Sequence, residues 1–249
     1  MLLVGLDAAS DFTKFGFALG QYEDGRVGII EAGLIKTKDD TNALLSSVAP
    51  KIKSADKALI AIDAPLGWPK SMAEALQTHE AGQVISKSKD AMFHRETDRV
   101  IHRRLAKKPL EVGADKIARA AHSALGALQM LREATGEGIP LAWSRNFSSS
   151  AAIEVYPAAT LKARGLPHSA YKKFDQAEVR HDISMGISAE IVGLDAYLDG
   201  SVDVFDACIC LIAAKDFMDG LAEQPVDLEL AEREGWIWVR GVNERPVSG

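Results

Sequence analysis

The first residues of the chain alternate short apolar runs with turn signals, a pattern typical of strands. Residues 2–7 predict a buried strand that ends at Asp7, and the segments FGFALGQY and VGIIEAGLIK lie on either side of EDGR. An Asp-Gly pair between two strand-like segments predicts a tight hairpin, because glycine readily takes the positive φ that the turn needs. The chain therefore opens with three consecutive strands, which we expect to pair antiparallel.

The pattern then changes to helical spacing and returns to a strand. The apolar residues of TNALLSSVAPKIK share one helical face, which comprises Leu44, Leu45, Val48 and Ile52. KALIAID is a continuous apolar run that ends at Asp63, and such runs are typical of strands buried on both faces of a sheet. The order strand-strand-strand-helix-strand predicts an α/β fold with a mixed sheet.

Between residues 70 and 145 the pattern is helical. The candidate helices are SMAEALQTHEAGQVI, ETDRVIHRRLAKK and ADKIARAAHSALGALQMLREATG. Pro109 follows the second and Gly136 ends the third, as expected of helix stops. Because this block interrupts the strand pattern, we interpret residues 70–145 as a helical insertion or cap within a single domain that spans residues 1–249.

Three later segments complete the predicted fold. AAIEVYP predicts a strand that Pro157 ends, and SVDVFDACICLIAAKDFMDGL predicts a long helix with its apolar residues inward. GWIWVRG predicts an edge strand, with Trp236 and Trp238 on the same face of it.

The composition narrows the class of protein. With 249 residues, 47% of them hydrophobic and 26% charged, the chain is typical of a globular protein. No apolar stretch approaches the roughly 20 residues that span a bilayer, and MLLVGLD lacks the basic start of a signal peptide. Cys208 and Cys210 lie too close together for a structural disulfide or the usual zinc pairs. We therefore expect a cytoplasmic protein with no membrane partner.

The charge is unevenly distributed along the chain. The formal net charge is −6, yet residues 87–132 contain eleven basic residues against five acidic ones. This basic stretch is a candidate phosphate-facing surface, and the alternative is that it forms the solvated faces of helices. The glycine-rich fingerprints of dinucleotide and P-loop sites are absent.

Acidic residues recur where predicted strands end and where the last long helix begins. Asp7 and Asp63 end strands, Glu154 lies within a later strand, and Asp203 and Asp206 are three residues apart at the start of the helix. Ligands of open α/β sheets gather at the carboxyl ends of the strands. Clustered carboxylates favour hard cations, so we predict a site for one or two Mg²⁺ or Mn²⁺ ions, an arrangement used for phosphodiester hydrolysis.

These elements resemble a known fold and a known family. Three strands, a helix and a fourth strand, with an acid on the first and fourth strands, resemble the ribonuclease H-like fold. More narrowly, GLDAA, AIDAPLGW, RETDR, EVYPA and DVFDACICLIAA resemble the DUF429 family of predicted nucleases over nearly the whole chain. The resemblance implies a ribonuclease H-like α/β fold and metal-dependent hydrolysis of phosphodiester bonds in nucleic acid.

The resemblance also implies roles for single residues. Carried over by position, Asp7, Asp63 and Asp206 are catalytic acids that bind the metal, and Asp203 is a further metal ligand. Glu154, in the EVYP stretch, is implied to be catalytic as well.

FHRETDRVIHRR supplies the candidate substrate-binding residues Arg95, Asp98 and Arg99. On a helix Arg95 and Arg99 lie close to one face, and guanidinium groups match pairs of phosphate oxygens. Two alternatives involve ion pairs instead. Arg95 and Asp98 could form a salt bridge that attaches the insertion to the body, and Glu154 could pair with an arginine of the insertion.

Two other functions are compatible with parts of the pattern. Sugar-kinase-like and actin-like ATPases also open with an acid on the first strand, but they need two such domains and a second glycine-rich hairpin. A non-catalytic nucleic-acid or protein-binding module on a degenerate fold is the other alternative. The acidic net charge favours it, because a nuclease of long duplexes usually has a broader basic surface.

Overall fold

The fold is built on a six-stranded mixed sheet. A computed structural model describes residues 1–35, 42–113, 115–173 and 176–242. The strands are β1 (Leu2–Asp7), β2 (Gly16–Glu23), β3 (Arg26–Leu34), β4 (Ala58–Asp63), β5 (Ala151–Glu154) and β6 (Ile191–Val192). Their order is β5-β4-β1-β2-β3-β6. β1, β2 and β3 pair antiparallel and the other neighbours pair parallel, which confirms the predicted ribonuclease H-like mixed sheet.

Helices connect and cover the strands. They are α1 (Ala49–Ser54), α2 (Lys70–Leu76), α3 (Lys89–Phe93), α4 (Glu96–Leu105), α5 (Asp115–Thr135), α6 (Pro157–Ala163), α7 (Ala177–Ile187), α8 (Val202–Met218) and α9 (Leu228–Glu234). A π-helical segment, Leu44–Val48, runs into α1. In the part of the chain that the structure describes, no helix has both the length and the apolar composition that crossing a membrane requires.

The predicted hairpin between β2 and β3 is confirmed. Asp24 and Gly25 have φ values of 47° and 74°, the left-handed conformation that both central residues of this tight turn adopt. The turn fixes the antiparallel register of the two strands.

Alternate residues of the sheet face two different hydrophobic cores. Leu3 of β1 packs in the core that contains α8, whereas Val4 and Leu6 pack in the core that contains α1 and α5. Successive strand residues point to opposite faces, so the odd-numbered residues of β1 face α8. That parity places Asp7 on the α8 side.

The helical block between β4 and β5 has two parts that pack differently. α5 contacts α1, and its residues Ala124, Leu128 and Leu131 are buried in the same hydrophobic core as one face of β1 and β4. α2, α3 and α4 precede it, and α4 contacts α6 and α9. The division into one domain with an insertion at residues 70–145 stays a prediction.

Several predicted elements differ from those observed. Helix α2 ends at Leu76, α4 ends at Leu105 because Ala106 adopts a left-handed φ of 46°, and Leu45 is exposed. GWIWVRG does not form a strand and makes isolated bridges, one of them between Glu154 and Ile237. It contacts β5 through the Trp238 amide, which donates to the Glu154 carbonyl (2.9 Å), while on its other side the Ile237 amide donates to Thr97 Oγ1 (2.9 Å) rather than to another strand.

Candidate metal centre and its surroundings

Asp7 and Asp63 lie side by side at the ends of adjacent strands. β1 and β4 are parallel, and their register pairs Asp7 directly with Asp63. Directly paired residues on parallel strands point to the same face, which here is the face covered by α8. The carboxyl ends of the two strands therefore place two acids at one edge of the sheet, as predicted.

Close approach of α8 to the sheet adds the third acid. A Cβ atom on Gly5 would lie 2.0 Å from the carbonyl oxygen of Ala207, and one on Gly16 would lie 2.0 Å from that of Asp203. Only glycine permits this approach at either position. As a result the first turns of α8 rest on β1 and β2, and Asp206 meets the two strand-end acids.

The three acids form one cluster. Ligating oxygens of Asp7, Asp63 and Asp206 all lie within 4.8 Å of one another. Burial raises the pKa of each carboxyl group, and the other acids raise the pKa of Asp7 further. The pKa of Asp63 is raised to about 7. A set of carboxylates that repel one another in partial burial fits a hard divalent cation such as Mg²⁺ or Mn²⁺.

Lys172 and Tyr171 contact this cluster, and sequence analysis did not find them. The ammonium of Lys172 lies 2.6 Å from Asp206 Oδ2, and the hydroxyl of Tyr171 donates a 2.7 Å hydrogen bond to Asp206 Oδ1. Although burial lowers the pKa of Lys172, Asp206 and Asp63 raise it more. Both residues lie on the 3₁₀ turn Ala170–Lys172, in a segment without the periodicity that marks an element.

Asp203 lies beside the cluster. The hydroxyl of Ser201 donates to its carboxylate (3.1 Å) and accepts from its amide (3.2 Å), which caps the start of α8. The Asp203 charge raises the pKa of Asp7 and Asp206. The predicted metal ligand is thus near enough to add negative charge to the three-acid cluster.

Glu154 forms a buried ion pair with Arg95. Arg95 donates to both carboxylate oxygens of Glu154 (2.9 and 2.7 Å) and to both of Asp98 (3.1 and 3.0 Å). Leu66, in the loop after β4, donates its amide to Glu154 (2.9 Å). The side chains of the three charged residues are at most 3% exposed. This geometry corresponds to the ion-pair alternatives for Glu154, Arg95 and Asp98.

Strand parity explains why Glu154 is separate from the three acids. The register pairs Glu154 with Ile62, and Ile62 packs in the core that contains α5. Asp63 is one residue further along β4 and faces α8. A shift of one residue along a strand reverses the face, so Glu154 points toward the Arg95 side of the sheet.

Arg99 and much of the basic stretch are engaged in local ion pairs. Arg99 pairs with Glu96 (3.0 Å) and Asp90 (3.3 Å), and Arg103 also pairs with Glu96 (3.0 Å). These contacts are partly exposed and lie along the helices themselves. The high count of basic residues between 87 and 132 therefore overstates the positive charge available to a ligand.

A cavity of about 390 Å³ adjoins the cluster. Asp63 and Lys172 belong to both the cavity wall and the cluster. Apolar residues that include Pro109 and Ile117 also line it, and Lys107 supplies a second ammonium group. Such a volume is within the about 300–1,000 Å³ range of small-ligand sites.

Comparisons with known proteins place the chain in a family. Among solved structures it is similar to T. thermophilus RuvC in complex with Holliday junction substrate, with 12% identity, a TM-score of 0.42, and coverage of 88% of this chain and 96% of that one. No curated protein matches it. The family model described as "Protein of unknown function (DUF429)" matches residues 11–229 and so contains all the acids discussed except Asp7. The chain belongs to the DUF429 family.

Proposed function

We propose that this protein is a divalent-metal-dependent nuclease, a hydrolase of phosphodiester bonds in nucleic acid. The observation that carries the proposal is the convergence of Asp7, Asp63 and Asp206 from two strands and a helix, within 4.8 Å of one another. Clustering of this kind is unfavourable without a cation, because burial and mutual repulsion disfavour the ionised carboxylates.

Asp7, Asp63 and Asp206 would hold one or two Mg²⁺ or Mn²⁺ ions, with Asp203 as an additional ligand. When bound, the metal supplies Lewis-acid polarisation of the phosphate and neutralises charge that develops during hydrolysis. Asp206 is only 1% exposed, and its bond from Tyr171 holds the carboxylate in one orientation. The cluster thus presents ligand atoms from rigid elements, which keeps their geometry precise.

Lys172 has a role in charge and positioning in the same mechanism. Its ammonium contacts Asp206 (2.6 Å) and lines the cavity, so a phosphate at the cluster lies within its reach. A cation there would attract the anionic substrate and offset part of the acid cluster's charge.

Arg95, Asp98 and Glu154 form a network that positions the site. Their network joins α4 to the end of β5 and to the loop after β4. Since that loop begins directly after Asp63, the network holds the backbone that carries this acid. A catalytic role for Glu154 and substrate binding by Arg95, Asp98 or Arg99 stay predictions from the sequence.

Calorimetric titration of Mn²⁺ into the full chain tests the metal centre directly. We expect saturable binding that Asp7→Asn and Asp63→Asn each abolish. Asp56→Asn is the matched control, because Asp56 is exposed and precedes the opposite end of β4. Equal binding by wild type and both site variants would refute the metal centre.

A cleavage assay then tests the chemistry. Labelled single-stranded and duplex DNA and RNA are incubated with each variant, in Mn²⁺ or in excess EDTA. We expect product only with metal, from wild type and Asp56→Asn and not from the two site variants. Metal binding without cleavage of any of these substrates would favour the non-catalytic binding module.

A further inference from the structure

The lining of the cavity beside the three acids combines apolar and charged residues. The apolar ones include Pro65, Pro109, Ile117 and Ala120. Lys107, Lys172 and the aromatic ring of Tyr156 line it as well, together with Asp63 and the ion-paired Arg95, Asp98 and Glu154. A ligand that fills it needs a flat or apolar body and an anionic group.

Lys107 is a second lysine of the cavity lining. Burial, together with the charges of Lys162 and Lys172, lowers its pKa. Among residues 1–35, 42–113, 115–173 and 176–242 the structure gives its ammonium no hydrogen bond or ion pair, and the nearest ring, that of Tyr156, is 6.0 Å away. An anion between Lys107 and Lys172 would offset their repulsion.

We propose that this cavity holds a single unpaired nucleotide of the substrate. Its phosphate lies between Lys107 and Lys172, and its base lies against Tyr156 and the apolar residues of the lining, since stacking on aromatic rings is a general mode of binding unpaired bases. Asp63 and Lys172 are shared with the acid cluster, so the phosphodiester bond attached to that nucleotide reaches the metal centre.

This assignment rests on the proposed nuclease function and narrows its substrate class. The cavity, with a volume of about 390 Å³, has room for one nucleotide but not for a base pair stacked within a duplex. The substrate is therefore a strand end or another unpaired nucleotide, and not the interior of an intact duplex. The limited free positive charge of the basic stretch agrees with a short contact on the substrate.

Calorimetry with thymidine 5′-monophosphate, inorganic phosphate and thymidine, each titrated into the full chain with and without Mn²⁺, tests the proposal. We expect the monophosphate to bind more tightly than either fragment, because it alone contacts both the lysines and the apolar residues of the lining. Lys107→Ala should weaken that binding about tenfold, equivalent to about 1.4 kcal/mol, and Lys107→Arg should restore most of it.

Lys108→Ala is the matched control, since Lys108 is the exposed neighbour outside the cavity. Its binding of the monophosphate should equal that of wild type. Circular dichroism of each variant verifies that the fold is retained.

The outcomes separate this proposal from the nuclease function. If wild type binds Mn²⁺ but holds the monophosphate no more tightly than phosphate, or if Lys107→Ala and Lys108→Ala behave alike, the nucleotide pocket is refuted and the metal centre is unaffected. If the monophosphate binds in a Lys107-dependent way while the chain neither binds Mn²⁺ nor cleaves any strand, the nuclease function fails. The cavity would then belong to a nucleotide-binding protein.

Discussion

The two ends of helix α8 each bury an aspartate, but in opposite electrostatic surroundings. Asp206 near the start and Asp216 near the end are both 1% exposed. Asp216 receives hydrogen bonds from Arg164 (2.6 Å) and Arg240 (2.6 Å). Asp206 faces two further acids and has Lys172 as its cationic contact.

This difference separates a structural charge network from a candidate site. At the Asp216 end Arg164, Lys215 and Arg240 also pair with Glu190, so the charges are compensated within the chain. At the Asp206 end, three acids share one lysine among the residues that the structure describes, so a bound cation would supply the positive charge that balances them. Burial of an acid is therefore uninformative about function until its counter-charges are identified.

The largest expected effect comes from exchanging each aspartate for asparagine in turn. Asp216→Asn removes one of the two carboxylates that pair with Arg164, whose side chain is 5% exposed, and breaking such a buried pair costs about 3–5 kcal/mol. Asp206→Asn removes one of several repelling acids and a pair with a half-exposed lysine, so the free energy of unfolding should change by less than about 1 kcal/mol. Urea unfolding in EDTA measures the free energy of unfolding of both variants. Equal decreases in the two variants would show that the charges of the Asp206 cluster are compensated within the chain as well.

The next effect tests the close approach that brings Asp206 to the strands. In Gly5→Ala the new Cβ would meet the Ala207 carbonyl at 2.0 Å, so α8 must move, at a cost of about 1–3 kcal/mol. The shift separates Asp206 from Asp7 and should weaken Mn²⁺ binding in calorimetry. Gly28→Ala, in β3, is the control because its Cβ would meet no atom within 4 Å. Unchanged Mn²⁺ binding in Gly5→Ala would mean that the metal centre does not depend on this contact.

Most of the strand framework and three acids of the site could be predicted from the sequence. Asp7 and Asp63 each end a continuous apolar run, and Asp206 opens a long apolar helix, so local patterns locate all three. The face of the sheet on which Glu154 lies could not be predicted from the sequence. It depends on the register between β4 and β5, and an offset of a single residue reverses the face.

Lys172 and Lys107 could not be assigned from the sequence. Lys172 lies on a 3₁₀ turn and Lys107 follows the end of α4, where no apolar period fixes the direction of a side chain. Their neighbours Lys173 and Lys108 are the same residue type in the same kind of segment. Only the path of the chain in three dimensions distinguishes the lysine at the site from the one beside it.

The pH dependence of stability should have opposite signs at the two ends of α8. The pKa of Asp63 is raised, chiefly by burial, from 3.8 to about 7 in the folded chain. Between pH 3.8 and about 7 the folded state binds more protons at Asp63 than the unfolded state does. The free energy of unfolding therefore falls as the pH rises through this range. The pKa of Glu190 is lowered, chiefly by its hydrogen bond from Arg164, from 4.5 to about 2. Its contribution is complete above pH 4.5 and is lost as the pH falls toward 2.

Melting curves of the metal-free chain between pH 3 and 8 measure both contributions. Asp63→Asn should raise the melting temperature at pH 8 and leave it nearly unchanged at pH 4. In a chain of this size, each kcal/mol added to the free energy of unfolding raises the melting temperature by roughly 2–4 °C. Glu190→Gln should lower it at pH 7 and have less effect at pH 3. Saturating Mn²⁺ should stabilise wild type more at pH 8 than at pH 5, because the metal competes with protons. If the difference in melting temperature between Asp63→Asn and wild type does not vary with pH, the raised pKa of Asp63 is contradicted.

The smallest effect concerns Lys172, the cation that contacts the acid cluster within the described part of the chain. Lys172 Nζ lies 2.6 Å from Asp206 Oδ2, but the lysine side chain is 46% exposed. The ion pair therefore contributes only about 0.5–1 kcal/mol to the free energy of unfolding. Lys172→Gln removes a charge that repels a metal ion, and Mn²⁺ alone should bind about two- to five-fold more tightly in calorimetry. The nucleotide should bind more weakly, since Lys172 also lines the cavity. Lys173→Gln, an exposed neighbour, controls for the loss of one positive charge. If the two variants bind Mn²⁺ equally well, Lys172 exerts no local effect on the metal centre, and the contrast between the two ends of α8 rests on the acids alone.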